Sequence, residues 1–343
     1  MRQYYTLALL MILGLLGCVP QEPKNSDYMT NFEALWKIID ERYCFLEEKG
    51  VDWDKVHRIY AQKVKNEARD DLTFFHLMTE MLRELKDGHV NLISSFDNGR
   101  YTEIVDDATT GLNIYARDMV LGRPEYWLSG GMRYVRLKVI NTDISFGYIS
   151  YGSFSSSLGD MKFILSLFKD CDAIILDVRG NGGGRVDNAT KLVSYFLTEK
   201  TLVGYSSHKL SPRRGHFSEL KPLYISPNES ITWTEKPLII LQDRGSYSAT
   251  NDFLYKVATA KNVVRIGQRS GGGAGLPSSS ELPNGWRVRY SAVKNYDANK
   301  KPVEEGIDPD IYMENDSYYD NPDAVDNILL RAIKYVTDLK KNP

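Results

Sequence analysis

The stretch Pro237–Asp252, PLIILQDRGSYSATND, holds a predicted strand, a polar turn and a predicted helix in direct succession. The apolar run Leu238–Leu241 is short and contains β-branched residues, which favours a buried strand. Ser248 follows the turn and precedes the helical residues 249–255. Such a serine either caps the helix with its side chain, or presents its hydroxyl beside first-turn amides that can stabilise an anion. This stretch alone leaves both interpretations open.

A second unit of the same kind lies upstream. The buried-strand pattern Ala173–Asp177, AIILD, runs into a glycine-rich turn at residues 178–184, and residues 186–197 have a helical pattern. Strand, turn and helix repeated in this way predict an α/β fold with a parallel sheet.

The glycine-rich turn does not match a nucleotide-binding fingerprint. Counted from Gly180, the sixth position is Arg185, where a dinucleotide fingerprint requires glycine, and no Gly-Lys-Ser/Thr follows. Its glycines can instead turn main-chain N–H groups toward a carbonyl, so that Gly182 or Gly183 together with Ala249 would form an oxyanion hole. The alternative is a tight turn that binds no ligand.

A candidate base lies far from the serine in the sequence. The segment LKDGHVNLIS, residues 85–94, predicts a turn followed by a strand, with His89 at the junction. A lone histidine is more often structural than catalytic, so His89 needs support from elsewhere in the chain.

Residues 202–233 predict a polar, irregular surface loop or lid. Arg213 and Arg214 lie within it and are candidates for binding a substrate carboxylate, although solvated surface arginines are the alternative.

The N-terminus predicts a targeting segment. Arg2 precedes the apolar run Leu9–Leu16, which is short for a membrane span, and Cys18 follows in a pattern resembling a bacterial lipobox. We therefore expect residues 1–18 to be a lipoprotein signal peptide, residues 19–26 a tether, and the protein to be anchored in the bacterial cell envelope through lipid on Cys18. An ordinary cleaved signal peptide is the alternative.

The rest of the chain is divided into two domains. Helical periodicity predicts a small N-terminal helical domain over residues 27–86, and residues 87–343 form the α/β core. Further predicted strands cover residues 111–115, 134–140, 146–151 and 263–267, further helices cover residues 161–168 and 323–339, and residues 286–296 predict a hairpin.

Composition limits the functional classes. The chain has 343 residues and a formal net charge of −2, so nothing indicates a nucleic-acid partner. The 5 histidines form no paired ligand motif, so neither a metal nor a cofactor is predicted. The sequence does not determine the oligomeric state.

Five motifs occur in a characteristic order: LKDGHVNL, ILDVRGNGGG, YSATND, IGQRSGGGAG and GIDPDI. With them the chain resembles the tail-specific or C-terminal processing peptidases, the S41 family of serine proteases. The resemblance implies an α/β core related to ClpP and crotonase. It also implies hydrolysis of peptide bonds in polypeptide substrates, with Ser248 as nucleophile.

Two departures from the common family pattern matter. Many members use a Ser/Lys dyad, but the matching turn at residues 270–275 has no lysine, and Arg269 does not lose its proton. His89 then becomes the base, as in the tricorn-like branch, with a pKa expected near neutrality, and Glu304 or Glu305 would orient the site. Only about fifty residues separate Phe96 from Phe146, too few for a complete PDZ domain. A non-catalytic peptide-binding lipoprotein on the same fold is the alternative function.

Overall fold

The computed structural model describes residues 27–102, 112–315 and 325–341. The predicted signal peptide, Cys18 and the tether lie outside these residues. Within the described ranges, no helix combines the length and apolar character needed to cross a bilayer.

Three N-terminal helices lie within residues 27–86, the segment predicted to be helical. They are α1 (Tyr28–Arg42), α2 (Trp53–Glu67) and α3 (Asp71–Arg83). Each begins after an aspartate whose carboxylate accepts the N–H of the residue three positions later, and these caps are Asp27, Asp52 and Asp70. Such caps satisfy amides that the helix itself leaves unpaired, which sets where each helix starts.

The remaining described elements follow in chain order. They are β1 (Asn91–Ile93), β2 (Asn98–Arg100), α4 (Ile114–Val120), β3 (Trp127–Ser129), β4 (Met132–Lys138), β5 (Ser145–Tyr151), α5 (Met161–Leu167), β6 (Ala173–Asp177), α6 (Val186–Ser194), β7 (Thr201–His208), β8 (Lys221–Ile225), β9 (Leu238–Gln242), α7 (Ala249–Val257), β10 (Val263–Gly267), β11 (Leu276–Glu281), β12 (Arg287–Tyr296), β13 (Ile311–Tyr312) and α8 (Asn327–Lys341).

A seven-stranded sheet forms the α/β core, in the order β13-β10-β9-β6-β5-β4-β3. The strands from β5 to β13 pair in parallel, and β3 and β4 pair antiparallel at one edge. Apolar residues of α5, α6 and α7 join one core against this sheet, and those of α8 join a separate core that also includes sheet residues. The predicted α/β parallel-sheet core with N-terminal helices is confirmed.

A second sheet is antiparallel and has the order β2-β1-β12-β7-β8, with β11 also paired to β12. Leu92, Val288 and Tyr290 of this sheet are buried in one core with the three N-terminal helices. The helices therefore pack on strands that follow residue 86 in the chain, and they share a hydrophobic core with the segment assigned to the peptidase domain.

Three local predictions are wrong. Residues 202–233 contain most of β7 and all of β8, because pairing with β12 organises a segment whose own pattern is polar. Residues 111–115 were expected to be a strand, yet Ile114 begins α4 and the Asn113 side chain caps it. The predicted hairpin at 286–296 is the single strand β12, which pairs with β11 before it.

Candidate active site

Ser248 lies where β9 turns into α7, with φ 58° and ψ −119°. Positive φ is uncommon for a residue with a β-carbon and is often found at functional sites. The residue occupies the N-cap position, but its side chain makes no capping hydrogen bond. The hydroxyl is directed elsewhere, and the N-cap interpretation therefore does not explain this serine.

The partner of the hydroxyl is His89. Its Nε2 atom lies 2.9 Å from Oγ of Ser248, although 159 positions separate the two residues in the chain. His89 is only 4% exposed, and its ring packs beside the ring of Tyr247 at a centroid distance of 5.1 Å. With Nε2 unprotonated, the serine O–H donates to it, which is the arrangement in which an imidazole can remove the proton.

Burial sets the protonation state of His89. It lowers the pKa of the imidazole to about 4, with the nearby Arg289 guanidinium acting in the same direction and Asp87 and the Gly275 backbone opposing it. The pKa of His89 in the ligand-free site therefore lies below the near-neutral value expected from the sequence. At pH 7 the ring is neutral and ready to accept a proton.

Asp87 anchors the histidine segment. Its carboxylate accepts the His89 backbone N–H at 2.7 Å, the Tyr43 hydroxyl at 2.9 Å and the Ser291 hydroxyl at 3.0 Å. These donors come from the turn itself, from the end of α1 and from β12. In the sequence, Asp87 is recognisable only as a turn residue, and its place two residues before His89 is the available signal.

The amides expected to stabilise an oxyanion lie beside the serine. The amide of Ala249 is the first of α7, and neither it nor the amide of Gly182 donates a hydrogen bond to any described residue. The Gly183 amide already donates to Oδ1 of Asn181 at 3.0 Å. Of the two predicted alternatives, Gly182 therefore has the free donor.

Gly183 instead makes the close approach possible. Its φ is 98°, and a β-carbon there would lie 2.8 Å from both the amide nitrogen of Ala249 and Cβ of Ser248. Asn181 fixes this turn by donating to the Tyr151 carbonyl at 2.7 Å and accepting the Tyr247 amide at 3.0 Å. The glycine turn and the serine turn are thus one hydrogen-bonded unit.

An ion network is buried beneath the glycine turn. Arg179 contacts Asp177 and Asp326, each at 2.7 Å, and all three side chains are almost completely inaccessible to solvent. Tyr148 also donates to Asp177 at 2.7 Å. Breaking one partner of such a network leaves an uncompensated buried charge, so this network holds the turn in place.

The two candidate glutamates have different environments. Glu304 is partly buried; one oxygen accepts the Gly275 amide at 3.0 Å, and desolvation together with Asp87 raises the pKa of its carboxyl to about 8. Glu305 is exposed and bound to Lys49 at 2.9 Å. Of the two, Glu304 is therefore the one that supports the loop next to His89.

The two candidate substrate-binding arginines are not brought to the Ser248–His89 pair. Arg214 forms ion pairs with Asp40 on α1 and Asp54 on α2, so its guanidinium binds the N-terminal helices. Arg213 is exposed beside it. The expected carboxylate-binding role therefore lacks structural support at these positions.

A polar cavity of about 430 Å³ adjoins the residues that support the pair. Asp87, Tyr247 and Glu304 contribute to its wall, together with Lys49 and Arg244.

A serine hydroxyl bonded to a neutral imidazole, beside free amides at a helix start, defines the class of serine-type hydrolases. Family models agree with this class: Peptidase family S41 matches residues 145–313, and the Tricorn protease C1 domain matches residues 25–83. The chain belongs to peptidase family S41, and its class is that of a serine-type peptidase.

Known proteins support this assignment. The chain is 42% identical to a candidate peptidase from Parabacteroides merdae ATCC 43184, with a TM-score of 0.83 over 91% of this chain and 97% of the other. Mature CPAF, at 10% identity and a TM-score of 0.64 over 84% of this chain and 92% of the other, shows the fold alone. The carboxy-terminal processing protease CtpB of Bacillus subtilis (strain 168) is 23% identical over 181 residues, which span 51% of this chain and 35% of CtpB.

Proposed function

We propose that this protein is an envelope-anchored endopeptidase or carboxy-terminal processing peptidase that hydrolyses polypeptides through an acyl-enzyme on Ser248. The observation that carries the proposal is the 2.9 Å contact between Oγ of Ser248 and Nε2 of His89. The processing role is supported by the similarity to CtpB, and the anchor is supported by the pattern around Cys18.

The proposed steps follow from the positions of the atoms. Nε2 of His89 accepts the hydroxyl proton as Oγ of Ser248 bonds to the peptide carbonyl carbon. The free amides of Gly182 and Ala249 donate to the negative oxygen of the tetrahedral intermediate. The imidazolium then protonates the leaving amine as the C–N bond breaks, and water, deprotonated by the same ring, hydrolyses the ester.

The test is reaction of the purified protein with a fluorophosphonate probe, alongside hydrolysis of unstructured peptides followed by mass spectrometry. Wild type should be labelled on Ser248 and should release peptide products, whereas Ser248→Ala should do neither and should keep its circular dichroism spectrum. Equal hydrolysis by Ser248→Ala would contradict the nucleophile assignment. Peptide binding without labelling or cleavage would favour the non-catalytic alternative.

The pH profile is a second readout. Because burial lowers the pKa of His89 to about 4, the imidazole remains neutral until the pH falls close to that value. The acid limb of kcat/KM for the free enzyme should therefore lie well below pH 6. An acid limb centred near pH 7 would contradict the lowered pKa of His89.

The anchor has its own test. Expression of the full chain in a bacterium with labelled fatty acid should label wild type and leave Cys18→Ser unlabelled, with the variant moving to the soluble fraction. Equal labelling of both forms would contradict the proposed lipidation.

A further inference from the structure

Arg289 lies on the same side of the antiparallel sheet as His89. Asn91, two residues after the histidine, is directly opposite Arg289 in the β1–β12 register, and directly opposite residues have side chains on one face. Nη1 of Arg289 donates to Oδ1 of Asn91 at 3.2 Å, which confirms the shared face. Ser291, two residues further along β12, bonds to Asp87 on that face.

The opposite face of these strands is already occupied. Leu92, Val288 and Tyr290 point into the core shared with the N-terminal helices. Because side chains alternate along a strand, Arg289 points away from that core and toward the side of the sheet where His89 meets Ser248. The arginine therefore lies on the face of the sheet that carries His89, where its charge acts on His89 and Tyr247.

Arg289 differs from Arg179 and Arg265, two other buried or partly buried arginines of the core. Arg179 and Arg265 each bind a carboxylate at 2.7 Å. Across the described ranges Arg289 forms no ion pair within 4.0 Å, and Asn91 is its one side-chain partner. A guanidinium has five N–H donors, so most of its donor capacity is unused.

The absence of a counter-ion is unfavourable for Arg289 because its guanidinium is partly desolvated. Arg289 is only partly exposed, and burial lowers the pKa of its guanidinium, with Tyr247 and Asp87 opposing the shift. A partly desolvated cation is stabilised strongly by an anion that can accept two of its parallel N–H groups, and a carboxylate has this geometry. Arg213 and Arg214, the arginines favoured by sequence, lack this combination of position and free donors.

We propose that Arg289, positioned by Asn91, is a subsite that binds a carboxylate of the polypeptide substrate next to Ser248. The subsite rests on the proposed peptidase function, because it orients a substrate for that chemistry. The carboxylate comes either from the substrate C-terminus or from an aspartate or glutamate side chain. Binding at this site would select which peptide bond reaches the serine.

The test compares three forms of one unstructured peptide: a free C-terminal acid, its C-terminal amide, and an amide with one added glutamate. Wild type should show a kcat/KM for one carboxylate-bearing form at least about tenfold above that for the plain amide, mainly through KM. Preference for the free acid identifies the C-terminus as the source, and preference for the glutamate peptide identifies a side chain.

Arg289→Gln should reduce that preference to near unity, and Arg289→Lys should restore part of it because charge returns without the paired donors. Arg287→Gln is the matched control, since this exposed arginine lies two residues earlier on the same strand. The control should keep the preference.

A binding arm separates failure of the subsite from failure of the peptidase function. The Ser248→Ala variant and its double variant with Arg289→Gln are titrated with the same peptides by fluorescence anisotropy. Tighter binding of a carboxylate form that is lost in the double variant supports the subsite even if wild type cleaves nothing. Equal affinity for all three peptides, no measurable affinity for any, or the same preference with and without Arg289 overturns it.

Discussion

The serine and the histidine are held by two parts of the molecule that are built differently. The turn that carries Ser248 is the nucleophile wall of the active site, and the connection that carries His89 is the base wall. Ser248 projects from a turn between consecutive elements of the parallel sheet, and the adjoining glycine turn is bonded to it through Asn181. His89 lies on a short connection between α3 and β1, and Asp87 holds it against residues from distant parts of the chain. The nucleophile wall consists of two strand–turn–helix units joined by a main-chain hydrogen bond and supported by a buried ion network, whereas the base wall depends on strand register and a single carboxylate.

The largest expected effect comes from removing the contact that joins the walls. His89→Ala should lower kcat/KM by about 10³-fold or more, similar to Ser248→Ala, and the double variant should be little worse than either, because the two side chains act as one unit. Steady-state assays on peptide substrate measure this. Additive losses in the double variant would show that the walls act independently.

The nucleophile wall should be sensitive to its buried ion network. Asp326→Asn removes one of the two carboxylates that the described part of the chain places on Arg179. We expect the free energy of unfolding to fall by about 3–5 kcal/mol in urea titrations. Asp308→Asn, whose carboxylate is exposed and 3.6 Å from Arg269, is the control and should cost about 1 kcal/mol at most. Similar losses for both would mean that the network does not stabilise this wall.

A substitution at Asp87 in the base wall should lower activity more than it lowers stability. Asp87→Asn replaces one acceptor oxygen with a donor that faces the Tyr43 and Ser291 hydroxyls. We expect kcat to fall at least about tenfold while KM changes little, because the orientation of His89 is disturbed and not the substrate contacts. Ser291→Ala removes one of the three donors and should have a smaller effect. An unchanged kcat in Asp87→Asn would show that Asp87 does not position His89.

The smallest expected effect concerns Glu304 and pH. Its folded pKa of about 8 lies above the ordinary 4.5 because burial disfavours the charge, so the folded state keeps a proton that the unfolded chain releases. This contribution to stability is complete below about pH 4.5 and is lost as pH rises through about 8.

Between pH 5 and pH 8, the free energy of unfolding should therefore fall less for Glu304→Gln than for wild type. The two decreases should differ by about 1 kcal/mol or more, as measured by urea titrations at each pH. Glu305→Gln is the matched control, because that side chain is exposed, and its stability should follow wild type. If Glu304→Gln and wild type lost the same free energy over this range, the carboxyl would not be neutral in the folded protein.

Sequence by itself determined the elements whose signals are local. The apolar run before Ser248 and the glycine-rich run after Asp177 predicted two strand–turn–helix units of a parallel sheet, and the structure contains both. Amphipathic periodicity also located the N-terminal helices. These features depend on neighbours in the chain, so the residue pattern carries them.

Only the tertiary structure decided the features that depend on contacts between residues distant in the chain. The strands β7 and β8 form in a polar segment because β12 supplies the hydrogen-bonding partner of β7. Burial moves the pKa of His89 away from neutrality, and register brings Arg289 to the face of the sheet that carries His89 while Arg214 binds the N-terminal helices. Desolvation and strand register are set by what packs around a residue, and no single stretch of sequence contains that information.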